Sequence, residues 1–112
     1  MSEVLCHAED IVEGTARSFV MGEGANRRDI VVVRKHGRFF AYVNSCPHQG
    51  TPLETFPDKF LNEDGALLVC STHGARFRIE DGFCISGPCE GKSLAPISIN
   101  AGDAEIAVVF QD

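Results

Sequence analysis

No stretch of this sequence is apolar for long enough to span a membrane, and its opening residues, MSEVLCHAEDIVEG, lack the basic start and apolar run of an export signal. From these absences we expect a soluble, cytoplasmic protein with no membrane partner. Positive charge is also scarce: ten Lys and Arg stand against sixteen Asp and Glu, a formal net charge of -6, with the acids scattered along the chain. Such a surface repels a phosphate backbone, so nucleic acid is set aside as a partner. The same charge favours solubility and offers a way to approach a basic protein surface. Helical patterning is missing as well. Eleven glycines and five prolines interrupt the chain, and apolar side chains nowhere keep a helical spacing over several turns. There is no internal repeat, low-complexity tract or linker. At 112 residues and 44% hydrophobic composition, residues 1–112 suit one domain with one modest core. That leaves no room for a second, catalytic domain.

What is present reads as short strands separated by turns. Residues 30–35 and 38–44 are β-branched or aromatic runs on either side of His36-Gly37, a hairpin pattern with glycine available for positive φ. His36 is then a solvated turn residue. Residues 67–70 follow the turn cluster Asn62-Glu63-Asp64-Gly65. Residues 75–79 and 82–85 bracket Glu80-Asp81-Gly82, and 97–100 and 104–110 bracket Ala101-Gly102-Asp103. An all-β sandwich or barrel-like domain follows. Near the amino terminus, alternating Val4 and Cys6 read as the inward face of a further strand.

Five cysteines without an export signal argue against a disulfide framework, because a reducing compartment leaves thiols available for burial or metal binding. Cys6 reads as a core thiol, and Cys84 and Cys89, flanking a turn in GFCISGPCEG, read as buried thiols. Cys46 and Cys70 differ. They open CPHQG, residues 46–50, and CSTHG, residues 70–74, each with a histidine close behind and a glycine at the end. Both boxes start where a strand runs out into a loop, so two neighbouring loops could present one thiolate and one imidazole each. The candidate ligands are Cys46, His48, Cys70 and His73. Gly50 and Gly74 would let the backbone bend tightly and turn its amides toward sulfur. Two cysteines and two histidines also make a tetrahedral zinc site. Usual zinc spacings, however, pair like with like, whereas each segment here mixes a cysteine with a histidine. That suits a binuclear centre with thiolates on one iron and imidazoles on the other.

CPH followed by CSTH resembles the pair of ligand boxes of the Rieske iron-sulfur family, in which two histidines replace two cysteines on one iron of a [2Fe-2S] cluster. The resemblance covers nearly the whole chain. It implies antiparallel sheets with the cluster on two hairpin loops at one tip, Cys46 and Cys70 on the inner iron, and His48 and His73 on the outer one. SGPCEG, residues 86–91, resembles the proline-containing loop that covers the cluster. One departure is the 21 residues between His48 and Cys70, more than most relatives carry. Phe56, Phe60 and Leu61 suggest that this extra length packs as a small cluster of its own.

Within the family, quinol-oxidising members carry an additional cysteine in each box, joined as a disulfide, where this chain has Thr51 and Thr72. The chain is similar instead to soluble Rieske-type ferredoxins of ring-hydroxylating oxygenase systems. That similarity implies an electron carrier, not an enzyme, between a flavin-dependent ferredoxin reductase and a terminal oxygenase. A terminal oxygenase would itself need two further histidines and a carboxylate for a mononuclear iron, and only His7 and His36 remain. Two other readings are a small Rieske-like subunit of an assimilatory nitrite reductase, whose members often lack the ligands intact here, and a structural zinc module. High-potential relatives carry a serine directly after the second box's His-Gly and a tyrosine two positions on, both donors toward cluster sulfur. Ala75 and Phe77 stand there in this chain, so the resemblance implies a low potential.

Overall fold

The computed structural model describes residues 2–22, 24, 28–45, 60–61, 65–70, 74–87, 90–101 and 104–109. Nine strands make up the described fold: β1 (Ser2–His7), β2 (Ala16–Met21), β3 (Arg28–Lys35), β4 (Arg38–Val43), β5 (Leu67–Val69), β6 (Arg76–Arg78), β7 (Cys84–Ser86), β8 (Ile99–Ala101) and β9 (Glu105–Val109). A 3-10 turn, Ala8–Asp10, follows β1. The strands form three antiparallel three-stranded sheets, ordered β1-β9-β8, β2-β3-β4 and β5-β6-β7.

The middle sheet, β2-β3-β4, owes its place to one run of sequence. Ile30, Val31, Val32 and Val33 on β3 are all fully buried. Side chains alternate across a strand, so four buried apolar residues in succession require a core on both faces. Val31 and Val33 pack with Tyr42, Phe60, Leu68, Cys70, Phe77, Ile79, Cys84 and Leu94, the core toward β5-β6-β7. Ile30 and Val32 pack with Cys6, Ile11, Ala41, Ile106 and Val108, the core toward β1-β9-β8. Each of the Val, Leu, Ile and Phe side chains contributes about 1.5–3 kcal/mol by leaving water. The single modest core expected from chain length is therefore two cores sharing a wall.

The hairpin at His36-Gly37 forms as the sequence suggests, with Lys35 opposite Arg38 and both turn residues at positive φ, 54° and 73°. Two left-handed residues in succession match the twist of the flanking strands. Glu13 locks this turn: its carboxylate accepts the amides of both His36 and Gly37. The Gly37 amide, with the His36 amide and the charge of Arg34 adding to it, holds the Glu13 carboxyl below the usual carboxylate range.

Two sequence expectations are corrected. Val4 does not share the inward face with Cys6; it is 53% exposed and Cys6 is buried. A β-bulge between Val4 and Cys6 inserts an extra residue, which breaks the two-residue alternation. Phe60 and Leu61 do not form a separate cluster either. Phe60 is buried in the core beside Val31 and Leu68, with Leu61 against it, because the Val69 amide bonds the Phe60 carbonyl and Leu61 bridges Leu68 across from β5. Phe56 lies outside the described residues.

Candidate metal centre

The first box leaves from β4. After Val43, Asn44 is buried and its amide donates to the Asp29 carbonyl at 2.8 Å, while the Ser45 amide donates back to Val43 at 2.9 Å. The chain is thus held against β3 and turned sharply just before Cys46. Cys46, His48 and His73 lie outside the described residues, as do Gly50 and Cys89. Among the described residues no three His, Cys, Asp or Glu side chains converge as a metal site.

Cys70 is described, and its surroundings are specific. It follows β5 directly, is fully buried, and belongs to the core containing Leu68, Ala75, Phe77 and Cys84. Its amide donates to the Ala75 carbonyl at 2.8 Å, which extends the β5-β6 ladder by one row. Its carbonyl accepts the Gly74 amide, also at 2.8 Å. Gly74 has φ 72°, a conformation that L side chains adopt only with strain, so the glycine at the end of the second box is what lets the chain return to β6. Residues 70–75 are closed at their base by these two bonds. A buried thiol facing apolar neighbours, at the foot of a glycine-closed turn, is a soft donor shielded from water. Such a setting suits a thiolate bound to iron, and the surroundings of Cys70 fit it.

The two box-bearing hairpins are tied together. The hydroxyl of Tyr42, on the strand leading to the first box, donates to the carbonyl of Ile79, just beyond the strand leaving the second. Burial, reinforced by the charges of Asp81 and Glu80, pushes the Tyr42 hydroxyl up to about 12. Lys35 adds a surface ion pair to Glu80 at 2.8 Å between the same sheets.

The other candidates fall elsewhere. His36 sits exposed in the turn before β4, roughly 20 Å from the far end of that strand for six residues at about 3.3 Å each. His7 ends β1 and its amide bonds Asp10. Cys6 is a core thiol as expected, and burial, with the Asp10 charge adding to it, pushes its pKa up. Cys84 is buried as expected, with its Sγ 3.2 Å from the Ser86 carbonyl. Cys6, Cys70 and Cys84 are thiols and not half-cystines. Sequence reasoning passed over Tyr42. A lone tyrosine in FFAYVN carried no signal of its partner.

Residues 2–110 match the family model described as Rieske [2Fe-2S] domain. The chain belongs to the Rieske family. Its cofactor is accordingly a Rieske-type [2Fe-2S] cluster, and its role is that of a Rieske electron carrier. The ferredoxin component of the alkene monooxygenase system of Xanthobacter autotrophicus (strain ATCC BAA-1158 / Py2) is 35% identical over 98 residues, which cover 88% of this chain and 74% of that protein. The Rieske fold is also that of the ferredoxin of carbazole 1,9a-dioxygenase from Nocardioides aromaticivorans IC177, with TM-score 0.77, 18% identity and 99% of each chain covered. A third similar structure is a complex of reduced oxygenase and oxidized ferredoxin in carbazole 1,9a-dioxygenase, with TM-score 0.74, 24% identity, and coverage of 96% of this chain and 91% of that one. Among the described residues, no helix is long and apolar enough to cross a membrane.

Proposed function

We propose that this Rieske protein is the ferredoxin component of an oxygenase system, a cytoplasmic carrier that takes electrons singly from a flavin-dependent reductase and delivers them to a terminal oxygenase. The observation that carries this reading is the family match across residues 2–110, joined to a 35% identical relative that is itself an oxygenase ferredoxin. In the proposal residues 1–112 act as one domain, and Cys46, His48, Cys70 and His73 hold the cluster, the cysteines on one iron and the histidines on the other.

When bound, such a cluster accepts and returns one electron. The chain's own residues do the rest. Cys70 supplies a thiolate from a dry, apolar setting. The closure at Gly74 fixes where the second box leaves and rejoins the sheet, and the Tyr42–Ile79 bond holds the two hairpins at a set separation. His48 and His73, on the outer iron, would be the edge through which a partner is met. In this reading no substrate is transformed on the chain itself; the chemistry belongs to the terminal oxygenase that receives the electron.

The oxygenase served need not act on an aromatic ring. The ferredoxin of an alkene monooxygenase system is 35% identical, which favours a monooxygenase of alkenes as the acceptor. The test is reconstitution with NADH, reductase and terminal oxygenase from the same organism. Substrate oxidation should depend on this protein and saturate with it. Full activity in its absence would overturn the proposal. An oxygenase that oxidises arenes but not alkenes would decide between the two acceptors.

A further inference from the structure

A sheet edge carries unpaired amides and carbonyls that another strand can join, so proteins cover, bend or shorten their edges. This fold does so at nearly every edge. Residues 95–97 pair along β4, Phe60 and Leu61 lie beside β5, and residues 91–93 line β7. β1 carries its bulge, and β8 has only three residues. β2 is the exception. It ends its sheet, runs six residues without a bulge or a proline, and among the described residues nothing pairs along its outer side.

The ladder on the inner side decides what the outer side presents. The Arg34 amide donates to the Thr15 carbonyl, and the two-residue repeat of an antiparallel pair then turns Arg17, Phe19 and Met21 toward β3. Ala16, Ser18 and Val20 therefore aim their amides and carbonyls outward. Ser18 is exposed, and Val20 is 58% exposed. Arg17, the charged residue of β2, does not guard the edge: its Nη1 donates to the Asp10 carbonyl at 3.1 Å, and its guanidinium lies 5.9 Å from the Phe19 ring. The outward residues are their own complement. When two copies pair antiparallel about Ser18, Ser18 faces Ser18 and Ala16 faces Val20 in both directions, so every outward amide meets an outward carbonyl. Between these rows Arg17 of one copy stands opposite Phe19 of the other, and no like charges meet. Any other register pairs fewer of the outward residues, and centring on Arg17 sets two guanidiniums against each other.

We propose that the β2 edge is a self-association surface, at which two copies of this chain join antiparallel about Ser18 into one continuous sheet. The arrangement leaves electron transfer unobstructed. The Met21 end of β2 lies beside Arg28, at the same end of the sheet as Val43, where β4 leads into the first box. An antiparallel pairing therefore points the two box-bearing ends in opposite directions and leaves both free for a redox partner. Each copy carries a net charge of -6, so long-range repulsion opposes the pair. Salt screens that repulsion and promotes the dimer, the reverse of its effect on a partner drawn by charge.

The test is sedimentation velocity on the full chain, from about 1 μM to about 1 mM protein, at low and high salt. Wild type should pass from monomer to dimer as its concentration rises, and should do so at lower concentration in high salt. Ser18→Pro removes an outward amide but no bond of the β2-β3 ladder, so it should melt near wild type while its dimer dissociates at least about tenfold more readily. Should Ser18→Pro fail to fold, Ser18→Lys decides. It sets two ammonium groups opposite each other across the two-fold axis and should weaken the dimer by roughly tenfold as well. Val4→Lys, at an exposed site on β1, changes the net charge equally and should leave the dimer as in wild type. A wild type that stays monomeric throughout that range overturns the proposal. So does a dimer that Ser18→Pro and Ser18→Lys leave intact, one that Val4→Lys weakens as much as Ser18→Lys, or one that salt disperses.

Discussion

Replacing Tyr42 with Phe removes one oxygen atom from the bond that ties the strand entering the first box to the strand leaving the second. Tyr42 is 3% exposed and Ile79 fully buried, so water cannot replace the lost donor at the Ile79 carbonyl. A net hydrogen bond and the penalty for a buried unpaired acceptor together come to about 1–3 kcal/mol. For a domain of this size each kcal/mol moves the melting temperature by roughly 4 °C, so Tyr42→Phe should melt about 4–12 °C lower. The pH dependence supplies a second check. The hydroxyl's pKa is raised on folding to about 12 from an ordinary value of 10. Its contribution is therefore complete below pH 10 and lost as pH rises toward 12. The stability gap between wild type and Tyr42→Phe, read from urea midpoints, should be constant from pH 7 to 9 and narrow at pH 11. A variant that melts with wild type, or a gap unchanged at pH 11, would show that this hydroxyl is neither bonded nor desolvated as described.

Further outcomes follow from the same geometry. Glu13→Gln weakens the carboxylate's hold on the His36-Gly37 turn. Because the Glu13 pKa is lowered on folding, its contribution is present above the unfolded value near 4.5 and lost as pH falls through the folded one, so wild type and variant should converge in acid and differ at neutral pH in thermal melts. At Gly82 an added Cβ would meet the Tyr42 ring at 2.8 Å and Leu94 at 3.2 Å, whereas at Gly37 it meets nothing within 4 Å. Gly82→Ala should therefore cost about 1–3 kcal/mol more than Gly37→Ala in chemical denaturation, both paying for positive φ. Ala75→Ser places a hydroxyl opposite Cys70 and should raise the potential from a wild-type value in the lower part of the roughly -150 to +300 mV range of Rieske centres, as read by voltammetry.

How much was legible in the sequence varied with the physics of each element. The β3-β4 hairpin was, because β-branched runs flank a two-residue turn with glycine, a local signal that needs no tertiary information. The strand Ala16–Met21 was not. Its burial alternates weakly, with Ala16 buried, Ser18 and Val20 exposed, and Phe19 and Met21 half-buried, because it is an edge strand covered on one face only in part. Val4 was misassigned because a bulge leaves no mark in composition. Phe60 was placed in a satellite cluster because its pairing beside β5 is a long-range choice. At the site, the spacing of Cys46, His48, Cys70 and His73 carried the chemistry, and the structure adds the buried, glycine-closed setting of Cys70. The Tyr42 tether was hidden because it depends on a partner distant in sequence.

The claim that four residues from two boxes hold a [2Fe-2S] cluster is tested most directly by assaying iron and acid-labile sulfide in purified wild type, Cys46→Ser, Cys70→Ser and Cys89→Ser. The account predicts equal amounts of iron and sulfide in wild type and Cys89→Ser, with a red-brown colour that reductant bleaches, and neither iron nor sulfide in Cys46→Ser or Cys70→Ser. A colourless wild type containing zinc, or a normal cluster retained in Cys46→Ser, would contradict it.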